Sequence, residues 1–211
     1  MSLETIYEAV LTGNAGAAKA ETQAAIDAGT SAADILHKAC IPAMTEIGHL
    51  FEIGERFVPE MLIAARAMQG ALEILRPLLV EEKVETLGTV VIGTVAGDLH
   101  DIGKNLVAMM LEGAGFEVVD LGNDVSPETF VAAVKEHNPD LVGMSALLTT
   151  TMASIDKTIV ALTEAGVRDR VKVIIGGAPV TQDFANKVGA DAFAAEAGSV
   201  SRVVKTLLGV A

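Results

Sequence analysis

The stretch LGTVVIGTVAGDLHDIGKNLV, Leu87 to Val107, decides how the rest of the chain is read. Its first part, Leu87 to Val95, is a near-continuous apolar run, the pattern of a strand buried on both faces of a parallel sheet. Asp98, His100, Asp101 and Gly103 then interrupt the run, and a helical pattern follows from Gly103 to Gly115. A strand, a polar loop and a helix make one β-α unit.

Downstream the unit recurs. Strands are expected over Phe116 to Leu121, Leu141 to Ala146, Val171 to Ile175 and, weakly, Asp191 to Ala194. Helices follow them. Ser126-Pro127-Glu128 reads as an N-cap with proline in the first turn, opening a helix to Glu136. Further helices are expected over Thr151 to Ala165, Thr181 to Val188 and Ser199 to Leu208. Five such units predict a doubly wound, parallel five-stranded sheet of the flavodoxin or Rossmann-like kind, with helices on both faces.

Upstream the period changes to 3.6 residues. Ile6, Val10 and Leu11 share a face. Ser31 to Asp34 matches a capping box opening a helix through Ile35, Leu36, Ala39 and Cys40, which Pro42 kinks or restarts. Ile47, Leu50 and Phe51 continue the stripe until Gly54. Pro59 sits near the start of a further helix that runs to Pro77. Four or five helices read as a small all-α bundle. The charged stretch Val80 to Glu85 is taken as a linker, giving a helical module over residues 1–84 and an α/β domain over 85–211.

Composition narrows the function. The chain has 211 residues, 51% of them hydrophobic, and a net charge of −13. That charge argues against nucleic-acid binding, which needs clustered Lys and Arg. The N-terminal residues show no signal peptide and no apolar run is long enough to span a bilayer, so a cytoplasmic location is expected and no membrane partner. Cys40 is alone, which excludes an internal disulfide and any CxxC site.

In a doubly wound sheet, ligands sit beyond the carboxyl ends of the strands at the switch in strand order. For this topology that crevice lies between the loops Ala96 to Gly103 and Ser145 to Thr151. Residues two apart in an extended segment face the same way, so Asp98 can hold one imidazole nitrogen of His100 and fix its tautomer. His37, His49 and His137 lie in or near helices and read as structural. No second cluster of donors near His100 would complete a zinc site. One His backed by an Asp instead suits a metal that brings its own macrocycle. Gly176-Gly177 follows the fourth strand, where small residues let a ligand near the backbone or simply make the turn. Ser145 and the hydroxyls of Thr149, Thr150 and Thr151 line the crevice or act as caps.

Asp98-x-His100-x-x-Gly103, then Ser145-x-Leu147, then Gly176-Gly177 resembles the three-part signature of cobalamin-binding domains such as that of methionine synthase. GHLFEIGERFVPEMLIAARAM resembles the helical cap of the same family, and the likeness covers nearly the whole chain. The resemblance implies cobalamin or a related corrinoid, bound with its benzimidazole tail detached. His100 becomes the lower ligand to cobalt, with Asp98 and a hydroxyl matching Thr151 completing a relay. The family often has Ser at the Thr151 position. Asp101, Gly103, Ser145, Leu147, Thr149, Gly176 and Gly177 border the corrinoid and its tail, and Phe57 shields the upper face. Small proteins with only these two modules carry a methyl group on cobalt. They take it from a substrate-specific methyltransferase and deliver it to a second methyltransferase that uses tetrahydrofolate or a thiol. A corrinoid reactivating protein is a third expected partner.

The small subunit of an adenosylcobalamin mutase shares the motifs but has no reason to carry the helical module. A cobalamin-based sensor adds a basic DNA-reading segment, absent at this charge. A receiver domain needs an Asp after the third strand, where this chain has Ser145. A flavin carrier needs a phosphate loop after the first strand, where Asp98 and Asp101 would repel phosphate.

Overall fold

A computed structural model describes residues 2–210 and divides the chain into two compact units. The first ends at Glu85 and takes in Gly113–Gly115; the second holds Thr86–Glu112 and the chain from Phe116 onward.

The first unit is all-α. Helix α1 spans Leu3–Leu11, α2 Ala15–Asp27, α3 Ala32–Ile35, α4 Ile41–Glu52 and α5 Val58–Glu81. Its core is built from Ile6, Val10, Ile35, Met44, Ile47, Met61, Met68 and Leu75, all almost fully buried. Helix α2 had no apolar stripe to announce it. Asn14 caps it by accepting the Ala17 N–H, and it buries the small residues Ala18, Thr22 and Ala25.

Two expectations for this unit need correction and one is refined. Pro42 stands in the first turn of a restarted helix, α4, and the break before it is a π-turn. Leu36–Cys40 forms that turn, with the Ile41 N–H reaching back to the Leu36 carbonyl. Widening the turn accommodates a residue that has no N–H to give. Helix α5 does not stop at Pro77; it continues to Glu81. The stretch Val80 to Glu85 is therefore partly helical, and Glu82 is not merely solvated. Its carboxylate accepts the N–H groups of Ala32 and Ala33, each at 3.0 Å, while Ser31 Oγ accepts that of Asp34. Asp34 turns instead to Lys38, so the box is left half-made and a carboxylate from far along the chain caps the next two N–H groups.

The second unit is a parallel sheet in the order β2-β1-β3-β4-β5. Strand β1 spans Thr89–Thr94, β2 Glu117–Asp120, β3 Leu141–Ser145, β4 Lys172–Gly176 and β5 Ala192–Ala194. The helices are α6 Ile102–Gly113, α7 Pro127–His137, α8 Met152–Glu164, α9 Gln182–Val188 and α10 Val200–Leu208. One face of the sheet packs Val91, Val142, Met144 and Val173 against Phe130 of α7, Ile155 and Leu162 of α8 and Val188 of α9. The order reverses between β1 and β3, which puts the crevice at the ends of those strands. Among the described residues no helix is long and apolar enough to cross a membrane.

Candidate functional site

Parallel register explains the site's shape. Ile92, Gly143 and Ile174 are neighbours across β1, β3 and β4. Two residues on, and so on the same face, Thr94, Ser145, Gly176 and Ala194 form a second row across β1, β3, β4 and β5. Most of these positions are small, and all but the buried Thr94 floor a cavity of about 560 Å³. A Cβ on Gly143 would come within 3.1 Å of Ile92 and project into this space. The walls are Leu99 to Lys104 and Val107 on one side, Leu147 and Ala178 at the rim, and Glu196 and Val200 at the far end. The lining is mainly apolar, and Leu99, Ile102 and Leu147 are left exposed at 69%, 71% and 41%.

Beside this cavity stands His100, its side chain 53% exposed, and behind it the fully buried carboxylate of Asp98. Asp98 Oδ1 meets His100 Nδ1 at 2.8 Å and accepts the His100 backbone N–H at 3.1 Å. Its Oδ2 accepts the N–H groups of Leu147 and Leu148 at 2.7 and 3.3 Å and the Thr151 hydroxyl at 2.6 Å. Burial pushes the Asp98 carboxyl up. The Thr151 hydroxyl, the His100 ring and the backbone N–H groups of His100 and Leu147 outweigh that and hold it well below the usual carboxylate range. An ionised carboxylate can only accept, so His100 Nδ1 carries the proton and Nε2 keeps its lone pair for a ligand. Thr151 also lies 2.9 Å from the Leu148 carbonyl, but its single proton goes to the shorter, charge-assisted bond.

The expected site residues divide clearly. His100, Asp101, Gly103, Ser145, Leu147, Gly176 and Gly177 all line the cavity. Asp98 and Thr151 stand behind His100. Thr149 does neither; it is exposed in the turn before α8 and does not border the cavity. Phe57 belongs to the helical unit, where it precedes α5 with its N–H held by Glu60 and 64% of its surface exposed. Of the two readings left open for Gly177, the geometry carries the turn. With φ at +121°, a Cβ there would lie 1.9 Å from the Ala146 carbonyl oxygen, so the chain's own backbone requires the glycine. Sequence reasoning missed Gly143 and Ala194, although each lies two residues from a predicted lining residue or along its row. It also missed the Leu148 N–H, the Thr94 hydroxyl that donates to the His100 carbonyl at 3.1 Å, and the ion pair of buried Lys104 with Asp120.

The donor set can be tested against a bound metal. Among the described residues no group of three or more His, Cys, Asp and Glu could hold an ion. One imidazole with a fixed tautomer, beside a deep apolar slot, fits a metal centre that arrives with its equatorial ligands already in place.

Comparison with known proteins agrees. The profile of the B12 binding domain matches residues 88–204, and a second profile of the same description matches residues 2–76. The chain is 47% identical over 186 residues to trimethylamine corrinoid protein 1 of Methanosarcina acetivorans, covering 87% of this chain and 86% of that one. It is 46% identical to dimethylamine corrinoid protein 1 of the same organism, covering 83% of each. Among solved structures, the methanol:cobalamin methyltransferase complex of Methanosarcina barkeri matches with a TM-score of 0.87 at 31% identity, over 98% of this chain and 79% of that one. The cofactor is cobalamin or a related corrinoid. On the motif geometry, the profiles and the extent of identity together, the chain belongs to the corrinoid proteins built on a B12 binding domain.

Proposed function

We propose that this protein carries a methyl group between a substrate-specific methyltransferase and a second, acceptor methyltransferase that uses tetrahydrofolate or a thiol. The bound corrinoid supplies the cobalt that accepts and releases the methyl group. The chain's own part is to hold, orient and screen. His100 would offer Nε2 to the metal, and Asp98 fixes its tautomer. Thr151 and the N–H groups of Leu147 and Leu148 keep that carboxylate ionised and in place. The apolar slot floored by Gly143, Ser145 and Gly176 takes the nucleotide tail and keeps water from it. Residues 1–84 are assigned as the helical cap module and residues 85–211 as the cobalamin-binding domain, and the exposed Phe57 is the residue of that module assigned a shielding role.

The observation that carries this reading is the His100–Asp98–Thr151 arrangement at the mouth of a slot built from small residues. The names of the trimethylamine and dimethylamine relatives favour a methylated amine as the donor. The separate profile match over residues 2–76 favours a capped methyl carrier over the bare subunit of a mutase. A reactivating protein that restores oxidised cobalt is the third partner in this scheme.

The test begins by mixing the purified chain with hydroxocobalamin and recording its visible spectrum beside that of His100→Ala. Both should hold the corrinoid, with the variant's spectrum shifted by loss of the imidazole. Once its cobalt has been reduced to Co(I) with titanium(III) citrate, the loaded chain should accept a methyl group from trimethylamine, with release of dimethylamine, in the presence of a trimethylamine-specific methyltransferase. A parent chain that retains no corrinoid sinks the reading.

A further inference from the structure

The loop that carries His100 lies outside any helix or strand, so each of its backbone polar groups needs a partner from elsewhere. A short segment after β2 supplies three of them. Asp124 Oδ1 accepts the Gly97 N–H at 2.7 Å, and the Asp124 N–H donates to the Asp98 carbonyl at 3.0 Å. Asn123 Nδ2 reaches the Leu99 carbonyl at 3.4 Å. An isolated parallel bridge between Val95 and Val125 closes the same seam. Asp124 holds its pair of bonds at φ +51°, a left-handed conformation that Asp and Asn tolerate better than other residues with a Cβ. It does not line the cavity.

We propose that Asp124 is a positioning residue for corrinoid ligation: it fixes the backbone of Gly97 and Asp98 so that His100 is in place before the cofactor arrives. The inference rests on the corrinoid reading and goes beyond it, because Asp124 acts through the main chain and touches no cofactor. The Asp98 side chain is secured from the β3–α8 loop by Leu147, Leu148 and Thr151. The Asp98 main chain is secured from the other side, by Asp124. With only the first anchor, the segment keeps the Asp98 N–H bond to the Val95 carbonyl at 3.1 Å but loses the tie that holds Gly97 and the Asp98 carbonyl, and it is less ordered until cobalt is ligated. Ordering it at that moment opposes binding.

Three variants separate the contributions. Asp124→Asn keeps an acceptor and the tolerance of positive φ. Asp124→Gly keeps the conformation and loses the acceptor, and Asp124→Ala loses both. Each is loaded with hydroxocobalamin, and cyanide is added until His100 is displaced from cobalt, read from the visible spectrum against His100→Ala. The cyanide concentration for half displacement should fall about fivefold in the Gly variant, the factor expected of one modest hydrogen bond, and further in Ala. The Asn variant should stay within about twofold of the parent. In the unloaded chains, amide exchange at Gly97 should quicken in Gly and Ala and not in Asn. Parent-like displacement and exchange in the Gly and Ala variants overturn the proposal and leave the corrinoid reading standing. A parent chain whose bound corrinoid has the same spectrum as His100→Ala overturns both. If Ala fails to fold, the comparison of Gly with Asn decides.

Discussion

Replacing Thr151 by Val removes one hydroxyl from a position that is 6% exposed while keeping its branched shape. The hydroxyl makes the 2.6 Å bond to Asp98 Oδ2, the shortest that this buried carboxylate receives. A hydrogen bond to a charged group contributes about 1.5–3 kcal/mol. Oδ2 keeps the N–H groups of Leu147 and Leu148, so the cost belongs in the lower half of that range, about 2 kcal/mol, or roughly thirtyfold in the opening equilibrium of the α/β unit. The chain has no Trp, and its single Tyr, Tyr7, lies in α1, so intrinsic fluorescence reports the wrong unit. Amide exchange of β3, followed by mass spectrometry, reads the right one. The pH dependence has a definite sign. A carboxyl held below its ordinary pKa contributes stability that is present above the unfolded value of about 3.9 and is lost as the pH falls toward the folded value. The unfolded value is common to parent and variant and cancels in their difference, so the deficit should be complete at pH 7 and narrow only as the pH falls through the variant's own folded value, while the stability of both declines from about pH 4 downward. A deficit under about 0.5 kcal/mol at neutral pH, or a parent whose stability does not fall below about pH 4, would refute the account of Asp98 as an ionised anchor.

Two further substitutions or treatments probe other claims. Gly177→Ala should destabilise the α/β unit by about 3 kcal/mol or more, since it adds a left-handed penalty to a backbone clash; an ordinary urea midpoint in the variant contradicts this. Burial pushes the Cys40 thiol up to about 12, so native protein at pH 8.5 should resist iodoacetamide and become alkylated only in denaturant. Rapid labelling of the folded chain, seen by intact mass, would show that the π-turn opens more readily than its packing implies.

Much of the α/β unit was legible because each strand is a short apolar run bounded by recognisable helix starts. Ser126 caps its helix as its sequence context predicts, and Thr181, expected as the first helical residue, is the cap of its own. The pair Asp98 and His100 was legible for a geometric reason, since residues two apart face alike. Leu148 was not, because it contributes through a backbone N–H that every residue carries, and Asp124 was not, because its carboxylate reaches a residue 27 positions earlier, outside any local pattern. Gly143 was hidden differently. It reads as a weak point in a strand until parallel register places it between Ile92 and Ile174. In the helical unit, α2 buries alanines and leaves no stripe, and Glu82 caps a helix some fifty residues earlier, at a separation no local pattern reports. Pro77 misleads because a helix tolerates its missing N–H, whereas Pro42 stands where the helix restarts after a widened turn.

The two borders of the sheet have a bearing on how the chain behaves at high concentration. One is β2, four residues with Glu117 and Asp120 at its ends; the other is β5, with only three residues. Unpaired borders recruit further strands when they are long, flat and apolar, and brevity and carboxylates both discourage that. Copies of this protein crowded together therefore have little opportunity to zip into one another.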